Sequence, residues 1–140
     1  MIPIEELIPE DFDYWWGGTY KELIESLGHQ IVVSKDLGAY QGNSLLLLKG
    51  EQGWGYLTFG WGSCSGCDWL EGCSNRNELD ELRQTLDSQI RWGSREDTAE
   101  FLVSHDWEGD HFYHYDDELG VYKFIVNALS AIIDENEAEK

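Results

Sequence analysis

The sequence predicts an α+β fold, a small antiparallel sheet packed by three to four helices, in a single domain spanning residues 1–140. Three observations predict this class. The chain has 140 residues, an ordinary length for one domain. Short apolar runs separated by turn residues fill its first half, whereas apolar residues in its second half recur with helical spacing. Hydrophobic residues make up 41% of the chain and aromatic residues 14%, which argues against a disordered chain.

The first half predicts one helix followed by three strands. Residues 19–27 fit a helix, because Thr19 can cap it, Glu22 stands at the capping-box position and Gly28 can end it. Apolar runs predict strands at 31–33, 45–48 and 56–59. Gln52-Gly53 can form the turn between the last two, which are therefore expected to pair as a hairpin.

The second half predicts three helices. The first is marked by an apolar stripe at helical spacing, made of Leu79, Leu82, Leu86 and Ile90. Asn75 or Asn77 can cap this helix, and Gly93 can end it. On another side of it lie Arg76, Arg83 and Arg91, either as a solvated face or as internal partners for acidic residues. A second helix is predicted over residues 96–103.

The last predicted helix covers residues 121–133. Its apolar stripe consists of Val121, Phe124, Ile125, Ala128, Leu129, Ile132 and Ile133. The tail that follows, residues 134–140, is expected to fray, as chain termini commonly do.

The chain is strongly acidic. Nine Lys and Arg residues stand against 28 Asp and Glu residues, which gives a formal net charge of −19. This balance argues against direct binding to nucleic acid or to an anionic membrane, because both need basic residues. A charge of this size attracts basic partners. Alternatively, it does no more than keep the protein in solution. No apolar run is long enough for a transmembrane helix, and the acidic N-terminus lacks a signal-peptide pattern, so a cytoplasmic location is expected.

Three cysteines lie close together, at Cys64, Cys67 and Cys73. Thiolates two residues apart on a glycine-containing turn can bind one metal ion. We therefore predict a structural zinc site with these three cysteines as ligands, where the ion would order a glycine-rich loop. His114 is the predicted fourth ligand, and the alternatives are His105, His111 and Asp68.

Two other interpretations of the cysteines stay open. They can be ordinary buried thiols in a reducing compartment. Alternatively, Cys64 and Cys67 form the redox pair of a thiol oxidoreductase, since they follow a strand and precede a helix whose dipole lowers a thiol pKa. Two observations argue against the redox pair. No β-α-β pattern precedes it, and no cis-proline can follow it, because both prolines, Pro3 and Pro9, lie upstream.

Residues 105–118 mix histidines, carboxylates and large aromatic side chains. Such a mixture can bind a divalent ion or supply a general acid and base, but its spacing fits no catalytic motif, and solvated loop acids are the expectation. The aromatic residues are typical either of binding hot spots or of a core: Trp107, Phe112, Tyr113 and Tyr115. We predict that the protein is not an enzyme.

Residues 39–75 carry a recognisable motif. It reads Ala-Tyr-Gln-Gly-Asn-Ser from Ala39 and Gly-Tyr-Leu-Thr-Phe-Gly-Trp-Gly-Ser-Cys-Ser-Gly-Cys-Asp from Gly55. The segment resembles a mostly uncharacterised family of short bacterial and phage proteins. In size, charge and cysteine cluster the chain is also similar to small acidic phage anti-CRISPR proteins that inhibit type II-A Cas9, some of which contain a metal. That resemblance implies an inhibitor acting in a bacterial host cell, with Cys64, Cys67 and Cys73 as metal ligands.

Together these features favour a non-enzymatic, acidic protein-binding inhibitor with a structural zinc site. Its expected partner is a basic, nucleic-acid-binding host protein whose nucleic-acid loading it would block, and Cas9 is the candidate that the resemblance implies. The alternatives are the thiol oxidoreductase and an interaction module of a bacterial cell.

Overall fold

The computed structural model describes residues 1–12, 15–62, 68–110, 112 and 118–138. Over these residues the chain forms a four-stranded antiparallel sheet with the strand order β1-β2-β3-β4. Its strands are β1 (Gln30–Gly38), β2 (Gly42–Gly50), β3 (Gly53–Trp61) and β4 (Arg91–Gly93). The helices are α1 (Ile4–Leu7), α2 (Tyr20–Glu25), α3 (Trp69–Gly72), α4 (Arg76–Ser88), α5 (Arg95–Ser104) and α6 (Glu118–Ala138). The α+β class is confirmed, and the short α1 and α3 add to the four expected helices.

Strand β2 lies inside the sheet and contains the run of four leucines. All four side chains are fully buried, because helices cover both faces of the sheet. Leu46 and Leu48 pack with residues of α1 to α4 on one side, which we name the four-helix face. Leu45 and Leu47 pack with α5 and α6 on the other side, the two-helix face. Since successive side chains of a strand point to opposite faces, a continuous apolar run here means burial on both sides.

Glycines shape both hairpins of the sheet. Gly50 pairs with Gly53 across the β2–β3 turn, and Gly53 has a φ of 117°, which side chains rarely tolerate. Gly42 belongs to the Tyr-Gln-Gly-Asn motif and begins β2. A Cβ atom at Gly42 would overlap the carbonyl oxygen of Leu37, so the motif glycine is a steric requirement of the β1–β2 hairpin.

Side-chain caps begin the helices where the sequence predicts them. Thr19 Oγ1 accepts a hydrogen bond from Glu22 N at 3.2 Å in front of α2. Asn75 Oδ1 accepts one from Glu78 N at 3.0 Å in front of α4, so of the two asparagines predicted as caps the first is used. Ser94 caps α5 in the same way. These local signals fix the helix starts independently of the packing.

The predicted end of α4 is wrong. The helix ends at Ser88 rather than at Gly93, because Arg91–Gly93 form the short strand β4 and pair with β3. Ile90 is buried and continues the leucine spacing beyond the helix, which is why helical periodicity overextends it.

The predictions for α6 also need correction. The tail expected to fray is helical as far as Ala138, and Glu135 within it forms an ion pair with Lys49 of β2. Ile133, assigned by its spacing to the core stripe, is 56% exposed, whereas Phe124 is fully buried. Although α6 is long, no helix in the described ranges is apolar and long enough to cross a membrane.

Candidate functional site

Asp68 connects the two ends of the cysteine-containing segment 63–67, which itself lies outside the described residues, and we name this connection the loop base after the predicted loop. Its Oδ2 accepts a hydrogen bond from Gly62 N at 2.8 Å, which joins the two residues on either side of 63–67. Its Oδ1 accepts hydrogen bonds from Tyr20 Oη at 2.7 Å and from Glu71 N at 3.2 Å, and the second of these caps α3. Because both carboxylate oxygens are used within the protein, these contacts assign Asp68 to loop closure.

Tyr20 is the donor that holds this carboxylate. Its ring lies against Phe59 with centroids 4.5 Å apart, and its Oη also accepts a hydrogen bond from Leu70 N at 3.1 Å. Burial raises the pKa of Tyr20, and the hydrogen-bonded Asp68 carboxylate raises it further. The phenol therefore stays protonated and ties α2 to α3 at the loop base.

Cys73 is a packed thiol directly after α3. It is 1% exposed, belongs to the apolar core of the four-helix face, and its Sγ donates to Trp69 O at 3.3 Å. Burial raises the pKa of Cys73 to about 11, and the carboxylates of Glu78, Asp68 and Glu81 contribute to the increase. In the described residues Cys73 therefore has the surroundings of a buried thiol, and its role as a zinc ligand stays a prediction.

The remaining predicted ligands do not meet Cys73 within the described residues. Four of them lie outside the described ranges: Cys64, Cys67, His111 and His114. His105 lies on the two-helix face, where its ring contacts Phe101 and Trp107, and its Nε2 is 2.8 Å from Asp110 Oδ2. The sheet separates His105 from Cys73, so these two cannot bind the same ion. Among the described residues no three His, Cys, Asp or Glu side chains form a metal-binding group, and the zinc site stays a prediction.

An aromatic cluster fills the two-helix face beside α5. We define it as Tyr56, Phe101, His105, Trp107 and Phe124. Tyr56 lies 5.1 Å from Phe101 and 5.5 Å from Trp107, measured between ring centroids. Trp107 Nε1 donates to Leu102 O at 3.1 Å, and Phe112 packs against the same core. For Trp107 and Phe112 the structure thus supports core packing, while Tyr113 and Tyr115 lie outside the described residues.

A small cavity lies next to this cluster, between β3, β4 and α5. Its lining residues are Tyr56, Arg91, Trp92, Gly93, Asp97, Thr98 and Phe101. The Arg91 guanidinium lies 4.5 Å from the centroid of the Phe101 ring. The cavity volume is about 10 Å³, roughly what a single water molecule needs. It cannot enclose an organic substrate.

Two basic side chains are held by contacts within the protein, and one of them, Arg83, is buried. Arg83 is 1% exposed and donates to Ile2 O at 2.6 Å, Ser26 Oγ at 3.1 Å and Asp80 Oδ1 at 2.8 Å. Lys49 pairs with Glu135 and lies 5.3 Å from the centroid of the Trp54 ring. Of the two interpretations of the arginines, Arg83 therefore follows the internal one, and the surface loses part of an already small positive charge.

Carboxylates remain on the outside. The exposed acidic residues of the described ranges are Glu5, Glu6, Glu10, Asp11, Glu22, Glu25, Asp36, Glu51, Glu81, Glu96, Asp97, Glu100, Asp106, Glu108 and Asp134. The exposed basic residues in the same ranges are Lys21, Arg91 and Lys123. The fold thus presents most of its negative charge to solvent and holds part of its positive charge within.

Comparisons with known proteins add no further constraint. No protein-family model matches the chain, and no match was found among curated proteins or solved structures. The function has to be argued from the residues described above.

Proposed function

We propose that the chain is a non-enzymatic, acidic protein-binding inhibitor that occupies the basic surface of a nucleic-acid-binding protein. The observation that carries the proposal is the exposure of the charged side chains: the fold leaves a larger share of its described acidic residues than of its described basic residues exposed. Arg83 is buried, and Lys49 is held in a partly exposed ion pair with Glu135, whereas carboxylates stay exposed on α2, α4 and α5. The accessible surface is therefore strongly negative, as the formal charge of −19 requires.

Exposed carboxylates can replace phosphates on a basic protein surface. Both groups present charged oxygen acceptors to Lys and Arg side chains. Helix α5 shows the arrangement, since Glu96 and Glu100 lie one turn apart with Asp97 beside them, and all three are exposed. A binding partner that normally holds nucleic acid would meet a comparable row of negative charge and could not load its own ligand at the same surface.

The partner we propose for the first test is Cas9, through the resemblance to acidic anti-CRISPR proteins, and the proposed location is the cytoplasm of a bacterial host cell.

The proposal is tested by measuring the affinity for purified Cas9 over a series of salt concentrations. We expect the dissociation constant to rise with salt, because salt screens the attraction between the two surfaces. Matched variants locate the contact: E96Q/E100Q on α5 and E6Q/E25Q on α1 and α2 remove the same charge from opposite faces of the sheet. One variant should weaken binding more than the other. Absence of binding at low salt contradicts Cas9 as the partner. An affinity that is unchanged by salt and by both variants contradicts binding through the acidic surface.

We also propose that a zinc ion orders the loop whose base Asp68 closes. Cys64 and Cys67 supply its thiolates, and His114 with His111 are the remaining nitrogen donors outside the described residues. Elemental mass spectrometry of the untagged protein should find about one zinc ion per chain. C64S and C67S should lose the metal, whereas the matched C73S, whose thiol packs in the apolar core of the four-helix face, should keep it. Metal-free wild-type protein contradicts the site, and loss in C73S returns Cys73 to the ligand set.

A further inference from the structure

The loop base joins the two ends of the segment that contains Cys64 and Cys67. Gly62 N donates to Asp68 Oδ2 at 2.8 Å, so the described residues on either side of 63–67 are held together. Cys64 is two residues from Gly62 in the chain, and Cys67 directly precedes Asp68. Each cysteine of the pair is therefore within two residues of the join along the chain.

The carboxylate at this join is fixed by other elements of the four-helix face. Asp68 is 7% exposed, and its Oδ1 accepts hydrogen bonds from Tyr20 Oη at 2.7 Å and from Glu71 N at 3.2 Å. Tyr20 is itself held, because its ring packs on Phe59 of β3 and its Oη accepts a hydrogen bond from Leu70 N at 3.1 Å. Helix α2, strand β3 and helix α3 thus all position one side chain, and none of these contacts involves the segment itself.

We infer that Tyr20 and Asp68 are positioning residues for the thiol pair of Cys64 and Cys67. An atom bound by both sulfur atoms fixes the backbone between them, which costs conformational entropy. A segment whose ends are already joined has fewer conformations to lose, so it binds such an atom more tightly. The inference rests on the proposed zinc site for the choice of the two cysteines, but it concerns the pair itself and applies to any atom that binds two thiols.

A trivalent arsenic compound tests the thiol pair without zinc. Phenylarsine oxide condenses with two neighbouring thiols: two As–S bonds form, the arsenic-bound oxygen takes up both thiol protons and leaves as water, and no electron is transferred. Its affinity for the reduced protein is measured in competition with a small soluble dithiol. C64S breaks the pair and should lose high-affinity binding. Unchanged binding by C64S overturns the assignment to this pair.

The variant Y20F measures the contribution of the loop base. It removes the hydroxyl that holds Asp68 and keeps the ring that packs on Phe59. We expect the affinity for phenylarsine oxide to fall by about three- to tenfold, because the ends of the segment lose their anchor. The matched Y40F, at an 82% exposed residue, should bind as the wild type does. Equal affinities of Y20F and the wild type, with both folded by circular dichroism, overturn the inference.

The coupling has to act in both directions, because a ligand that the intact loop base helps to bind must in turn stabilise the loop base. Saturation with phenylarsine oxide should therefore slow amide exchange at Gly62 and Leu70. Their N–H groups donate to Asp68 and Tyr20. The amide of His105, hydrogen-bonded at the end of α5 on the two-helix face, serves as the control and should not change. Unchanged exchange at Gly62 and Leu70 on saturation overturns the coupling.

The arsenical test and the zinc test can fail separately. Metal-free wild-type protein contradicts the proposed zinc ion, while the comparison of arsenical affinities still decides the positioning role. Equal arsenical affinities of the wild type and Y20F overturn the positioning role, whatever the zinc content of the purified protein.

Discussion

Both faces of the sheet cover an apolar core, but the four-helix face also contains buried polar anchors, whereas the two-helix face is rich in aromatic side chains. On the first face, Asp68 and Arg83 lie within hydrogen-bond networks that join segments distant in the chain. On the second face, Tyr56, Trp107 and Phe124 pack around the end of α5. The two faces are thus held by interactions with different requirements.

This difference separates the interactions that fix the positions of particular segments from those that contribute most to the free energy of unfolding. Hydrogen bonds require alignment, so the polar anchors fix the position of particular segments, such as the loop base at Asp68. Packing of large side chains is less directional and removes more apolar surface from water. We therefore expect the apolar cores of both faces to carry most of the free energy of unfolding, and the polar anchors of the four-helix face to control local order.

The largest effect is expected from F124A on α6. Phe124 is fully buried in the aromatic cluster, and its truncation leaves a cavity that the surrounding rings cannot fill. The free energy of unfolding should fall by about 3–5 kcal/mol in urea titrations. V103A, at an exposed position, serves as the control and should change stability by about 0.5 kcal/mol or less. Equal stabilities of the two variants would show that the aromatic cluster does not stabilise the fold.

A smaller and more local effect is expected from Y20F. The change removes the hydrogen bond to Asp68 Oδ1 and leaves Leu70 N without its acceptor, while the ring remains packed on Phe59. Stability should decrease by about 1–3 kcal/mol. Amide exchange should accelerate most at Gly62 and Leu70, and the control Y40F, at an 82% exposed residue, should change neither quantity. Unchanged amide exchange at Gly62 and Leu70 would show that Tyr20 does not hold the loop base in place.

The smallest effect is the pH dependence contributed by Cys73. Its pKa is raised from 9.0 to about 11 in the folded protein, so folding favours the protonated thiol. The contribution to stability is full below pH 9.0 and is lost as the pH rises through about 11. The difference in unfolding free energy between the wild type and C73A should therefore decline in this window. A difference that is flat across the window contradicts a buried neutral thiol.

The sequence predicts those parts of the fold that depend on local signals. Thr19 and Asn75 cap helices through contacts only three residues away, and the leucine run of β2 is readable because it is buried on both sides. Strand β4 has only three residues, which is too short for a period, and Ile90 before it continues the spacing of α4. The period alone likewise cannot tell which apolar residues of α6 face the sheet, so it groups the exposed Ile133 with the buried Phe124.

The arrangement of the candidate site depends more on contacts between residues that are far apart in the chain, and no local sequence pattern predicts such contacts. Asp68 receives its hydrogen bond from Tyr20, which is 48 residues away in the chain, and Arg83 reaches Ile2 across 81 residues. An arginine in an acidic sequence is ordinarily solvated, so its burial could not be foreseen from residue type. The burial of Cys73 is likewise decided by what surrounds its thiol.

The most direct test of the proposed inhibitor is a displacement measurement on Cas9. Fluorescently labelled guide RNA is titrated with Cas9 at low salt, and the acidic protein is then added before or after the RNA. We predict that protein added first prevents RNA loading, and that raising the salt relieves the inhibition. A ternary complex in which RNA binds with unchanged affinity, or RNA loading that is indifferent to the protein, would contradict the account.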